Sequence, residues 1–380
     1  MPPLRKALVA MDSFKGSISS EQANQCVAKA IAITCPECHI ELFPIGDGGE
    51  GTATILTHAL HGNIIHTRAH DALMRPCDAL YGVVGNDTAI IELANTCGMA
   101  QLKAEERNPR LTSSYGCGEV ILEALQRGNR HILLCLGGSA TNDAGMGLLA
   151  ALGFQFQDNN YQALTPCGES LCRIEHIQYT GNQKLLQHTQ IHILSDVTNP
   201  FCGKNGAAHI YAAQKGATPE DIVFLDRGMH HFATVIARDY GKDIRNIQGT
   251  GAAGGIAGGC MALLNAQIHS GMDYVLKALQ FEEHLRNADL VITGEGKIDH
   301  QSFMGKVLER ILHCSRQHRV PVVALGGQVL TDTFSYPEGL IGAYGIHPAN
   351  MPLEQAMNTE QTIIDLTTTT SQVLKQLNCC

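Results

Sequence analysis

The sequence predicts an α/β protein in two parts: a parallel sheet covered by helices on both faces, and a second α/β domain inserted into it. Three observations carry this expectation. Short apolar strand candidates alternate with amphipathic helix candidates at both ends of the chain, the order that builds a parallel sheet with helices on its faces. The texture between those ends differs, with several short strand candidates and a long loop-rich stretch. The length, 380 residues, exceeds what one hydrophobic core usually holds. With 44% apolar and 17% charged residues, the chain has the composition of a folded globular protein.

Lys6 to Met11 reads as a buried strand, and Ser19 with Gln22 forms a capping box that opens a helix. Ala23, Cys26, Val27, Ala30 and Ile31 then recur at helical spacing and give that helix one apolar face. A second strand, His39 to Phe43, runs into a glycine-rich turn, and Thr52 to Leu60 resumes helical before Gly62. The C-terminal third repeats this grammar: a strand at Leu290 to Thr293, an acidic glycine loop, a helix from about Gly305, and a strand at Pro321 to Leu325 closed by Gly326-Gly327. Between them lie strand candidates at Ile64 to Thr67, Leu80 to Val84, Thr88 to Glu92 and Ile132 to Leu136, then a loop-rich region to about Gly259. The expected division is residues 1–62 with 286–380 for the discontinuous outer domain and 63–285 for the insertion, with the active site in the cleft between them.

Charge narrows the function. Twenty-seven Lys+Arg against 36 Asp+Glu leave a formal charge of -9, so neither nucleic acid nor an anionic membrane is an expected partner, and small molecules are. No apolar run approaches the roughly 18 residues that span a bilayer. The first residues are too short an apolar stretch for a signal-peptide core, so a cytoplasmic protein is expected, its 14 cysteines mostly reduced. Cys35-Pro36-Glu37-Cys38-His39 spells a haem-attachment pattern, which requires export, and as half of a zinc site it lacks a second cysteine pair.

The motifs cluster after strand candidates, where open α/β sheets place their ligands. Gly46, Gly48 and Gly51 have dinucleotide-fingerprint spacing, with Asp71 about 20 residues on. Asp47 and Glu50 sit inside that loop, however, where a pyrophosphate needs backbone N–H groups and no carboxylate; they suit a metal ion or substrate hydroxyls. A second match, Gly249, Gly251 and Gly254, follows a stretch too polar for a central strand, and its small residues suit either phosphate cradling or close helix packing. Gly137-Gly138-Ser139-Ala140-Thr141-Asn142-Asp143 follows a strand and opens a helix, a candidate anion site that Asp143 would cap. Asp12-Ser13-Phe14-Lys15-Gly16 offers a lysine for a phosphate or carboxylate, with Ser13 as a donor. In Ser195 to Pro200, Asp196 is placed to take a proton from an alcohol or to hold Mg²⁺. Gly294-Glu295-Gly296-Lys297-Ile298-Asp299 is not a P-loop, because Ile298 stands where Ser or Thr is needed, yet its carboxylates and lysine fit a Mg²⁺-phosphate site.

Seven of these stretches, in order and over nearly the whole chain, resemble the bacterial glycerate kinase family of the GarK type (type 1). They are Asp12 to Gly16, Gly46 to Thr52, Gly137 to Asp143, Asp196 to Pro200, Gln214-Lys215-Gly216-Ala217, Gly251 to Gly255 and Ile292 to Asp299. The resemblance implies a Rossmann-like domain with an inserted α/β domain, and ATP-dependent phosphorylation of D-glycerate with Mg²⁺, usually at the 2-hydroxyl to give 2-phosphoglycerate and ADP. Members that form 3-phosphoglycerate exist. Departures are Gly16 where many relatives have Glu, Lys297 where many have Arg, and the Cys379-Cys380 tail.

Under this reading Lys15 and Asp196 are the candidate catalytic residues, Asp196 as base, with Asp47 and Asp299 as exchangeable candidate Mg²⁺ ligands. Substrate or nucleotide contacts fall to Asp12 and Ser13, to Gly48 and Gly49, to Gly138, Ser139, Thr141 and Asn142, to Asn199 and Lys215, to Gly254 and Gly255, and to Glu295 and Lys297. Lys15, Lys215 and Lys297 with Mg²⁺ would balance the charge of ATP and the substrate carboxylate. The rival classes are an NAD-dependent hydroxyacid dehydrogenase and a non-catalytic metabolite-binding protein. A homo-oligomer is left open.

Overall fold

The structure, a computed structural model, describes residues 3–46, 48–49, 51–303, 307–330, 335–348 and 350–378. The chain divides into two compact units, Met1–Asp47 with Met272–Cys380, and Gly48–Gly271.

The outer unit is built on five parallel strands. In sheet order they are Leu340–Gly345, Val322–Val329, Leu290–Ile298, Lys6–Met11 and His39–Leu42. The central strands are continuous apolar runs because both faces are covered. Ala7, Val9 and Met11 pack with Leu290, Ile292, Val323 and Leu325 against helices Ser20–Thr34 and Thr359–Gln376. Leu8, Ala10 and Val291, on the opposite face, are also fully buried, and helix Val307–Gln317 packs on the strands it connects. The expected capping box is present: Ser19 Oγ accepts from Gln22 N at 3.2 Å, and Gln22 Oε1 accepts from Ser19 N at 3.0 Å, a cap that contributes about 1 kcal/mol.

The inner unit carries a six-stranded mixed sheet. In order, its strands are Gln267–His269, Gln190–Leu194, His131–Cys135, Thr88–Glu92, Pro76–Val84 and Asn63–His70. The first four run parallel, Pro76–Val84 runs opposite to them, and Asn63–His70 pairs antiparallel with Pro76–Val84. Its unit boundaries, 47/48 and 271/272, differ from the expected 62/63 and 285/286. For the first boundary the reason is helix Thr52–Ala59, which is tied to the inner sheet: Gly51 N and Ala53 N donate to Glu92, and Thr57 lies so close to Gly82 that a Cβ there would fall 1.7 Å from Thr57 Oγ1.

Two expectations are corrected. Gly326-Gly327 does not end its strand, which continues to Val329, and the Leu290 strand runs through Gly294 and Lys297 to Ile298. These stretches pair with each other, Glu295 opposite Gly326 and Lys297 opposite Gln328, so each supplies the ladder partner that makes the other a strand. The supposed loop-rich region holds a 22-residue helix, Pro219–Tyr240, with a Thr218–Asp221 capping box, Pro at its start and Gly241 in the left-handed conformation at its end. The cysteines are mostly reduced as expected: eleven of the described ones lie outside any disulfide, and Cys35 is disulfide-bonded.

Candidate active site

In the inner unit three of the motif loops meet at the carboxyl ends of the parallel strands. Gly137 N donates to Gly48 O at 3.1 Å, and a Cβ on Gly137 would fall 2.2 Å from Gly49 Cα. A Cβ on Gly48, whose φ is +84°, would fall 2.7 Å from Leu194 O and 3.5 Å from Ser195 N. Glycine is required at both places by backbone contact and, at Gly48, by positive φ. Gly48 and Gly49, the Gly137–Asp143 turn and the start of the Ser195–Pro200 turn are therefore neighbours, although they lie far apart in the chain.

The helix that the first glycine turn opens already has an anion at its N-terminus. Buried Glu92, the last residue of its strand, accepts Gly51 N at 3.0 Å with each oxygen and Ala53 N at 3.2 Å with Oε2. A dinucleotide pyrophosphate needs those N–H groups for itself. Asp71, the would-be ribose ligand, is spent on a turn, accepting Leu73 N and Arg75 N and pairing with Arg75 Nε at 2.6 Å. The dehydrogenase reading thus loses both parts of its fingerprint. Asp47 and Glu50 lie outside the described residues.

Asp196 stands just past its strand, half-buried, and Ser270 Oγ, just past the adjacent strand, donates to its Oδ1 at 2.7 Å. Asn199, in the same turn, donates to Asn205 O at 2.9 Å and accepts from Tyr211 Oη at 2.6 Å.

The Gly137–Asp143 turn is held from beneath by buried ionisable groups. Lys215 Nζ donates to Ser139 Oγ and to Thr141 O, both at 2.7 Å. Burial pulls the Lys215 ammonium down from 10.5 to about 7, with the Asp143 carboxylate opposing the fall. Asp143 is fully buried. Burial raises its pKa against the hydrogen bonds that favour its charged form, which come from Ser114 N and Oγ, Gly147 N and Gly145 N. The N-cap of helix Met146–Ala151 is Gly145 rather than the expected Asp143, which instead accepts from Gly147 N in the first turn from two residues further back. Gly138 takes φ +73°, and Met99 N donates to its carbonyl. Thr141 Oγ1 and Asn142 Oδ1 are buried without a hydrogen-bond partner. Gly254 and Gly255 face protein: Cβ atoms there would fall 2.2 Å from Thr141 O and 2.6 Å from Met229 Cε. The second glycine repeat thus lets the kinked start of helix Ala252–Leu264 pack on the Thr141–Ala144 backbone.

In the outer unit, the ends of the Lys6–Met11 and Leu290–Ile298 strands bring two further motifs together. Asp12 N donates to Gly294 O at 2.9 Å, and a Cβ on Gly296 would lie 3.9 Å from Lys15 N. Ser13 N donates to Asp12 Oδ1 at 2.6 Å. Lys15 is exposed, as is Lys297, whose Nζ lies 3.1 Å from Asp299 Oδ2. Gln301 N donates to Asp299 Oδ1 at 2.9 Å, and Glu295 beside them is half-buried. Among the described residues no group of three or more His, Cys, Asp or Glu could hold a metal ion. No helix among them is long and apolar enough to cross a membrane.

A covered parallel sheet with an insertion, and strand ends bearing glycine turns, a carboxylate and lysines in place of a dinucleotide fingerprint, define an α/β enzyme of small-molecule group transfer. The chain belongs to the glycerate kinase family, whose sequence profile matches residues 7–378, and it is accordingly a kinase. It is 37% identical over 342 residues to glycerate 2-kinase of Escherichia coli, covering 90% of this chain and 88% of that one. It is 35% identical over 353 residues to glycerate kinase of Bacillus subtilis, covering 92% of each. The crystal structure of a putative glycerate kinase 2 from Salmonella typhimurium superposes with a TM-score of 0.82 at 34% identity, covering 99% of this chain and 98% of that one.

Sequence reasoning missed Glu92, Ser114 and Ser270. Glu92 alone left a signal, a carboxylate closing an otherwise apolar strand.

Proposed function

We propose that this kinase transfers the γ-phosphoryl group of ATP to the 2-hydroxyl of D-glycerate, giving 2-phospho-D-glycerate and ADP. The observation that carries the reading is Asp196: a carboxylate oriented by Ser270, on a turn adjoining two glycine turns at the strand ends. Asp196 takes the proton of the attacking hydroxyl as its oxygen bonds to the γ-phosphorus and ADP departs. The name of the Escherichia coli relative supports the 2-position.

Each unit offers groups suited to the substrates. Lys15 and Lys297 meet phosphate oxygens as flexible point charges, with Asp12, Ser13 and Glu295 beside them. In the inner unit Ser139, Thr141 and the Gly138 backbone take the remaining anionic oxygen. For Mg²⁺ the described donor is Asp299. The ion commonly keeps waters and phosphate oxygens and needs one or two carboxylates, and Asp299 offers one hard carboxylate beside Lys297, with Asp47 the second by sequence. Held there, Mg²⁺ would supply neutralisation of phosphate charge. The reaction is placed where ATP is, in the cytoplasm.

The test is ADP formation that depends on D-glycerate, in a coupled assay with and without a chelator, followed by NMR of the product. Phosphorus coupled to the C2 proton is the expected result. Coupling to the C3 protons would replace the 2-kinase reading with the 3-phosphate one, and no ADP formation with D-glycerate would overturn it altogether.

A further inference from the structure

An ammonium group donates hydrogens and accepts none, so at 2.7 Å Ser139 Oγ is the acceptor of the Lys215 hydrogen bond. The Ser139 side chain makes no other hydrogen bond among the described residues, and the residue is 5% exposed. Its own proton is therefore committed to no protein acceptor. Two residues on, Thr141 Oγ1 is buried and likewise unpartnered, while Lys215 holds the Thr141 carbonyl. Buried polar groups are rarely left so, and two in one glycine turn at the end of a parallel strand point to a ligand. Two of the three Lys215 Nζ hydrogens are directed into the turn, one to Ser139 Oγ and one to the Thr141 carbonyl.

We propose that Lys215 is a positioning residue: by donating to the Ser139 oxygen it turns the Ser139 proton outward onto an anionic oxygen of a substrate, and so acts on the reaction only through Ser139. The inference rests on the glycerate kinase reading and names the work of one side chain within it. The anionic oxygen is a carboxylate if it belongs to glycerate and a phosphate if it belongs to ATP.

A pH signature follows. Burial brings Lys215 to about 7, and Asp143 is the charged group that acts on it. Arg107, whose carbonyl abuts Gly216, directs its guanidinium away, to Met99 O and Leu102 O. The thiols of Cys97, Cys117 and Cys260, which feel the same Asp143, are raised by burial and stay neutral. Once Lys215 loses its proton, the amine lone pair becomes an acceptor beside Ser139, which can turn its proton inward. Substrate binding then weakens as pH rises through about 7.

The experiment is steady-state kinetics on the wild type, Ser139→Ala, Lys215→Met and the double variant from about pH 6 to about 8.5. KM for D-glycerate is measured at saturating ATP, and KM for ATP at saturating D-glycerate. In the wild type one of the two KM values rises by about tenfold across this range, as expected for losing one hydrogen bond to a charged oxygen. Which KM rises identifies the carboxylate or the phosphate. Ser139→Ala removes the rise, and the double variant is no worse than Ser139→Ala alone. Losses that multiply in the double variant, or a rise that survives in Ser139→Ala, overturn the inference while leaving the kinase reading intact. If Lys215→Met fails to fold, the Ser139→Ala profile decides alone. A wild type that forms no ADP with D-glycerate sinks the reading and the inference with it.

Discussion

Replacing Lys215 by Met removes the most deeply buried cation of the inner unit, and the structure gives the size and sign of the effect on stability. The folded-state pKa is depressed from 10.5 to about 7 because burial penalises the ammonium more than Asp143 supports it. A depressed pKa means that stability is fully present above the unfolded value and is lost as pH falls toward the folded one, so the window runs from about 10.5 down to about 7. From roughly pH 6 to pH 9 the folded protein sheds this proton while the unfolded chain keeps it, which makes the wild type more stable at the upper end by a few kcal/mol, on the order of 2–3. Lys215→Met lacks that gain. It also strands the Thr141 carbonyl and the Ser139 oxygen, at about 1–3 kcal/mol for each group left unsatisfied. The two effects separate because only the first depends on pH. Urea unfolding followed by circular dichroism at four pH values, compared between wild type and variant, isolates the Lys215 contribution, since other titrating groups cancel in the difference. A difference that stays constant with pH would refute the assigned burial and proton loss.

Asp196→Asn keeps an acceptor for Ser270 but cannot take a proton, so kcat should fall about 10²- to 10⁴-fold with the melting temperature little changed; near-normal turnover would remove Asp196 from the role of base. Glu92→Gln replaces one oxygen that faces Gly51 N by an NH₂ donor, so the turn before helix Thr52–Ala59 should loosen at a cost of about 1–3 kcal/mol, measured as lower unfolding stability accompanied by lower kcat. Gly137→Ala would drive a methyl into the Gly49 backbone, and an overpacking cost of about 1–3 kcal/mol together with disordered spacing of the two turns should show as loss of both expression yield and turnover; an unaffected variant would mean the turns do not touch.

What the sequence made legible was local, and what it hid was long-range. The Ser19 capping box and the Lys6–Met11 strand each depend on residues a few positions apart, so periodicity and cap chemistry sufficed. Helix Pro219–Tyr240 was legible in the same terms, through Thr218-Pro219, Gly241 and the buried stripe Leu225, Met229, Phe232, Ala233 and Ile236, but the glycines around it drew the reading toward loops. The Gly294–Ile298 stretch is a strand only because Gly326–Val329 lies beside it, and nothing within either segment says so. The same distinction governs the candidate site. Glycine turns announce themselves in sequence, whereas the groups that hold them in place do not. Glu92 reaches back 41 residues to Gly51, Lys215 reaches 76 to Ser139, and Ser270 reaches 74 to Asp196. Each partner is a polar side chain whose task exists only after the sheet has brought strand ends together. A second glycine repeat with fingerprint spacing proved in the fold to be a surface for packing on Thr141–Ala144. Glycine spacing alone therefore reports where backbones approach closely, and the chemistry of that approach is decided by which side chains the topology delivers to it.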